Sequence, residues 1–142
     1  MNYTRLGRTG LRISEFILGC GNFGGIGSAP ELFGKGESEV EAHAIMDAAW
    51  EMGINVFDTA NSYGGGRSEC YIGSWLRAKG PHVRGQLLLS SKVFNRVGDG
   101  PNDAGLSRRH IIQQIEGSLT RLGTDHLDLY LIHEPDWSTP LD

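Results

Sequence analysis

Apolar residues along the chain alternate between short continuous runs and stretches of helical spacing, with glycine at most of the boundaries. Residues 3–6 and 11–14 are extended runs about the turn Gly7-Arg8-Thr9-Gly10 and predict a β-hairpin. A first core strand follows over 15–19, then a glycine-rich loop over 21–36 that holds Pro30. Ser38 and Glu41 stand at capping-box spacing and open a helix with Ile45, Ala48, Ala49 and Met52 on one face, closed by Gly53. Strand 54–59 precedes the loop 61–66 and a second helix over 68–79, with Ile72, Trp75 and Leu76 facing inward and Gly80 beyond it. Strand 87–93 leads through a long loop over 95–105 to Ser107 as N-cap. The third helix carries Ile111, Ile112, Ile115, Leu119 and Leu122 at helical spacing and stops at Gly123, before a last strand over 126–133. A hairpin followed by βαβαβαβ demands a parallel sheet with right-handed crossovers.

Three of the strand-like runs end in a polar residue: Asp58, Lys92 and His133. Strands of a parallel sheet are buried on both faces, so an acid, an amine and an imidazole there are costly placements. In open α/β sheets and in barrels, ligands and catalytic groups gather beyond the carboxyl ends of the strands, where these residues converge with Tyr63 of the 61–66 loop. Singly each has an ordinary explanation: a loop tyrosine, a capping aspartate, a snorkelling lysine, a surface histidine. Jointly, at successive strand ends, they form a candidate catalytic set.

Composition narrows the field. The 142 residues, 39% hydrophobic, are about one domain by length, taken as residues 1–142 with the hairpin at 1–14 and the layered part at 15–142. The net charge of −4, with basic residues scattered, offers no stripe for a phosphate backbone, and nucleic acid is not an expected partner. No stretch approaches the roughly 20 apolar residues of a membrane span, and residues 1–11 lack an apolar leader core, so the expected location is cytoplasmic. Cys20 and Cys70 lie far apart and read as free thiols, and the five histidines lack zinc-ligand spacing, so no metal site is expected.

Gly19-Cys20-Gly21-Asn22-Phe23-Gly24 fits a dinucleotide fingerprint after a strand. The fingerprint needs a helix opening at once and an acid about 20 residues on. Here the loop continues to Pro30 and the next strand-end acid is Asp58, so a Rossmann site is not expected. No nucleophile-elbow motif is present for hydrolase chemistry.

The segment Phe57-Asp58-Thr59-Ala60-Asn61-Ser62-Tyr63-Gly64 resembles the signature of the aldo-keto reductase family, NADPH-dependent carbonyl reductases built on a (β/α)8 TIM barrel. The resemblance extends through residues 3–11, 65–69, 105–107, 118–125 and 129–133, nearly the whole chain. It implies the N-terminal half of that barrel: a β-hairpin followed by four parallel strands and three helices, with a fourth helix beginning over 138–142. It also implies reduction of an aldehyde or ketone to an alcohol, with Tyr63 donating the proton, Lys92 beside it, Asp58 holding Lys92, and His133 orienting the carbonyl. A phenol is a poor acid near neutrality, and an adjacent ammonium favours its ionised form. Gly19, Cys20, Gly21 and Asp58 are implied to lie by the nicotinamide ribose of NADPH, with Cys20 where many members carry threonine. Pro101-Asn102-Asp103 with Gly105-Leu106-Ser107 resembles the subgroup that includes potassium-channel β-subunits. The alternative to a reductase is therefore a catalytically incomplete half-barrel acting as a binding or regulatory subunit. Four strands also leave two open sheet edges, through which self-association is expected. Trp50 is expected to pack, and Trp137 to stand on a top-face loop.

Overall fold

The computed structural model describes residues 1–140. Strands β1 (Tyr3–Arg5) and β2 (Arg12–Ser14) form the expected antiparallel hairpin, with Tyr3 opposite Ser14. Asn55 fastens it beneath the sheet. Its Oδ1 accepts from Ser14 N at 2.8 Å and its Nδ2 donates to the Arg12 carbonyl at 3.0 Å. The hairpin thus occupies the N-terminal ends of the strands and leaves their C-terminal ends free.

Four parallel strands follow in the order β3 (Leu18–Gly19), β4 (Val56–Asp58), β5 (Leu88–Val93) and β6 (Leu129–Ile132). Chain order and spatial order coincide, as right-handed βαβ crossovers require. Each strand is shorter than its apolar run. Residues 15–17 make no strand pairing, and Phe16 and Ile17 are exposed.

The crossovers are helical. Helix α1 (Glu39–Glu51) starts at the expected capping box: Glu41 N donates to Ser38 Oγ and Ser38 N to the Glu41 carboxylate. Its buried face is Ala42, Met46 and Ala49, not the expected Ile45, Ala48, Ala49 and Met52, of which only Ala49 is buried. Small residues let the helix approach the sheet closely, and that stripe outcompetes the bulkier one beside it.

Helix α2 (Arg67–Lys79) buries Ile72, Trp75 and Leu76 as expected. A fourth, short helix α3 (Pro81–Arg84) was not expected; Gly80 at φ +84° turns the chain and Pro81 starts it at the position proline favours. Helix α4 (Arg108–Leu122) begins at Ser107, whose Oγ accepts from His110 N, and ends at Gly123 in the left-handed region. Of its expected apolar face only Leu122 is fully buried; His110 and Ser118 are the other buried positions, and Ile112 is exposed. Phe57, Met46, Ile72, Trp75, Leu87, Leu89 and Leu122 form the core between sheet and helices, and Trp50 packs edge-on to Trp75. After β6, the Asp136 carboxylate accepts from Ser138 N and the chain makes a turn; residues 141 and 142 of the expected helix start lie outside the described residues.

Candidate functional site

The sheet register decides which side chains meet. Gly19 stands opposite Asp58 and Asp58 opposite Ser90, so Lys92 lies two residues beyond that row, on the same face as Ser90. Lys92 reaches back across the strand. Its Nζ lies 2.5 Å from Asp58 Oδ2 and donates to the Thr59 carbonyl at 2.9 Å. Asp58 Oδ1 accepts a second bond from Ser90 Oγ at 2.7 Å. The carboxylate is thereby satisfied at both oxygens, and the ammonium is left with a donor directed at Tyr63, whose Oη is 3.5 Å away.

Tyr63 opens a 3-10 turn, Tyr63–Gly66, that only glycine permits. Gly64 has φ +58°, and a Cβ there would stand 2.8 Å from the Phe23 carbonyl oxygen and 2.9 Å from Gly24 C. The loop after β3 therefore packs backbone to backbone on the loop after β4 and fixes Tyr63 over the strand ends. His133, directly after β6, is tied by its N–H to the Val93 carbonyl. Its Nε2 lies 3.4 Å from Tyr63 Oη, with the two rings edge to face at 5.4 Å. Burial and the Lys92 charge push the His133 pKa down, outweighing Glu134 and Asp58, so the charged form of the ring is disfavoured.

Lys92 and His133 thus meet at the Tyr63 hydroxyl, with Asp58 behind Lys92. The candidate cofactor residues separate. Gly21 lies against the Tyr63 ring, where an added Cβ would sit 3.7 Å from it, and Gly19 faces space where a Cβ would meet nothing within 4 Å. They form a shelf free of side chains beside the phenol, which fits a flat ring. Cys20 does not belong to that shelf. It has no exposed surface, its Sγ donates to the Leu18 carbonyl, and burial pushes its thiol pKa well up. The glycines on either side face out, so the residue between them faces the core.

The loop between Gly24 and Glu39 holds a 3-10 turn at Pro30–Leu32, and no helix opens at the glycine fingerprint. Sequence reasoning missed Ser90, which braces Asp58, and Asn95, whose Nδ2 lies 3.3 Å from His133 Nδ1. Both are polar residues in or just after an apolar strand, the same signal that marked Lys92. A cleft of about 490 Å³, lined by Phe33, Asn61, Ser62, Arg96, Gln114 and Arg121 among others, takes in residues next to Tyr63 and Asn95 in the chain but none of the four candidate catalytic residues. Trp137 is 95% exposed. Among the described residues no cluster of histidine, cysteine and acidic side chains suits a metal ion, and no helix is long and apolar enough to cross a membrane.

A match to the Aldo/keto reductase family covers residues 16–142, and the chain belongs to that family. The parallel strands and crossover helices are accordingly half of its TIM barrel. The chain is 45% identical over its whole length to 43% of an uncharacterized oxidoreductase, YrpG, of Bacillus subtilis. It is also 39% identical to 40% of a probable voltage-gated potassium channel subunit beta of Oryza sativa, and 37% identical to 40% of one of Arabidopsis thaliana, again over its whole length. It thus spans about two fifths of the length of these relatives.

Proposed function

We propose that this chain carries the proton-donating side of an oxidoreductase site that reduces an aldehyde or ketone to an alcohol. The observation behind this reading is the convergence of Lys92 and His133 on Tyr63 Oη, at 3.5 and 3.4 Å. A carbonyl oxygen placed between the phenol and His133 would be polarised by the imidazole N–H and take the phenolic proton, and Lys92 would then face the phenolate left behind. NADPH, when bound, supplies the hydride to the carbonyl carbon. Its nicotinamide end would lie on the Gly19 and Gly21 shelf with Asp58 close by. The phenolate regains its proton from water, and the cycle balances as one hydride and one proton added to the carbonyl. The substrate is a small carbonyl compound and the expected setting cytoplasmic.

The test is aldehyde-dependent oxidation of NADPH by the purified chain, followed by the loss of reduced-nicotinamide absorbance. Turnover that vanishes in Tyr63→Phe supports the reading, and turnover that survives it refutes the role of Tyr63.

A second reading, a binding or regulatory half-barrel, is favoured by the exposed apolar residues along the outer strands: Phe16 and Ile17 before β3, and Leu131 and Ile132 in β6. Exposed sheet edges template pairing. Under this reading the chain self-associates in sedimentation experiments and binds NADPH without turning it over; a stable monomer counts against it.

A further inference from the structure

The reading above gives Asn95 no task, yet its amide joins the loops after β3, β4 and β5 to His133. Asn95 Nδ2 lies 3.1 Å from Ser28 Oγ, 3.2 Å from Ser62 Oγ and 3.3 Å from His133 Nδ1. The two serine oxygens are 2.8 Å apart and hydrogen-bonded to each other. One amide N–H shared between the adjacent serines leaves the other for the imidazole, and the long distances suit a shared donor. With the amide reversed, its carbonyl would need a hydrogen from each serine, and one of those is engaged in the bond between them. The orientation that serves all three contacts points N–H at His133 Nδ1.

A neutral imidazole has one protonated nitrogen. If Nδ1 accepts from Asn95, the proton sits on Nε2, the nitrogen beside Tyr63 Oη. The opposite tautomer would turn Nε2 into an acceptor competing for the phenolic proton. We propose that Asn95, braced by Ser28 and Ser62, is a positioning residue that holds His133 in the Nε2-protonated tautomer and so presents a donor beside Tyr63. The consequence for turnover rests on the reductase reading; the tautomer does not. The ring is also faced by Lys92, Asp58 and Glu134, two acids and an amine, so the setting of its proton is not explained by one neighbouring charge.

The experiment is nitrogen-15 NMR of the His133 ring in the full chain, compared with Asn95→Asp, whose carboxylate can only accept. The wild type is expected to show a bare Nδ1 and a protonated Nε2, and the variant a protonated Nδ1. A protonated Nδ1 in the wild type, or an unchanged ring in the variant, overturns the proposal. The wild-type spectrum decides even if the variant fails to fold. In kinetics the variant should lose on the order of a hundredfold in kcat, the scale of one oxyanion donor, with NADPH affinity unchanged and the acid limb of its pH profile moved upward. Equal turnover and an unmoved limb in the variant would also overturn it. Absence of aldehyde reduction in both chains would defeat the reductase reading alone, leaving the spectra to judge Asn95.

Discussion

Lys92 Nζ and Asp58 Oδ2 lie 2.5 Å apart across neighbouring strands, with only 14% and 29% of their side chains exposed. Removing one partner of a buried pair leaves the other charge uncompensated, at about 3–5 kcal/mol when burial is complete. This pair keeps some solvent, and Asp58 keeps Ser90. Lys92→Met is therefore expected to cost about 1–3 kcal/mol, read as a lower denaturant midpoint with unchanged m-value. Under the proposed function it also abolishes carbonyl reduction, because the amine facing Tyr63 is gone.

Tyr63→Phe separates chemistry from folding. The hydroxyl makes only long contacts, to Lys92 and His133, so its loss should change stability by less than about 1 kcal/mol. Loss of a positioned proton donor lowers turnover by about 10²–10⁴-fold. Titration of NADPH fluorescence should give the same affinity for both proteins, and a matching fall in affinity would show that the phenol serves binding instead.

Much of this arrangement was legible in the residues. Polar groups ending apolar runs located Asp58, Lys92 and His133, and helix ends were marked by Ser38, Ser107, Gly53 and Gly123. Periodicity failed where two stripes competed. In α1 the apolar residues Val40, Ile45 and Met52 stand exposed while Ala42, Met46 and Ala49 face the sheet, a choice made by how closely the helix can approach. Cys20, which the family resemblance implies to lie by the nicotinamide ribose, is turned into the core, because backbone alternation sends Gly19 and Gly21 one way and the cysteine between them the other. Asn95 and Ser90 carry the same local signal as Lys92, a polar group in or just after an apolar strand, but what they do depends on which strands are neighbours, and no local pattern states that.

Helices α2 and α4 touch through Gly73. A Cβ there would stand 2.3 Å from the Arg121 carbonyl oxygen and 2.9 Å from the Leu122 backbone. Backbone cannot rotate out of the way as a side chain can, so Gly73→Ala must push the helices apart, at a cost of about 1–3 kcal/mol or more. Gly85 is the control. Its φ is −68° and a Cβ would find its nearest neighbour at 3.5 Å, so Gly85→Ala should be neutral or stabilise by about 0.4–1 kcal/mol. Thermal melts of the two variants should move in opposite directions or differ by several degrees.

Two histidines, His110 buried and His133 partly buried, predict acid sensitivity. His110, 1% exposed under the loop that follows β5, has both ring nitrogens without a hydrogen-bond partner. Burial pushes its pKa down, outweighing the charge of Asp103; for His133, burial and Lys92 act in the same direction. A depressed histidine pKa means that the unfolded chain binds more protons than the folded one, so stability rises with pH. The contribution of each ring is complete above its ordinary value of about 6.5 and is lost as pH falls from there through the folded value. His110→Leu removes one such proton and two unpartnered nitrogens from the core, replacing them with apolar surface. The variant should match or exceed the parent near neutrality and show a shallower loss of stability below about pH 6.5. Denaturant unfolding at a series of pH values reads this directly, and parallel stability curves for the two proteins would show that His110 takes no part in acid unfolding.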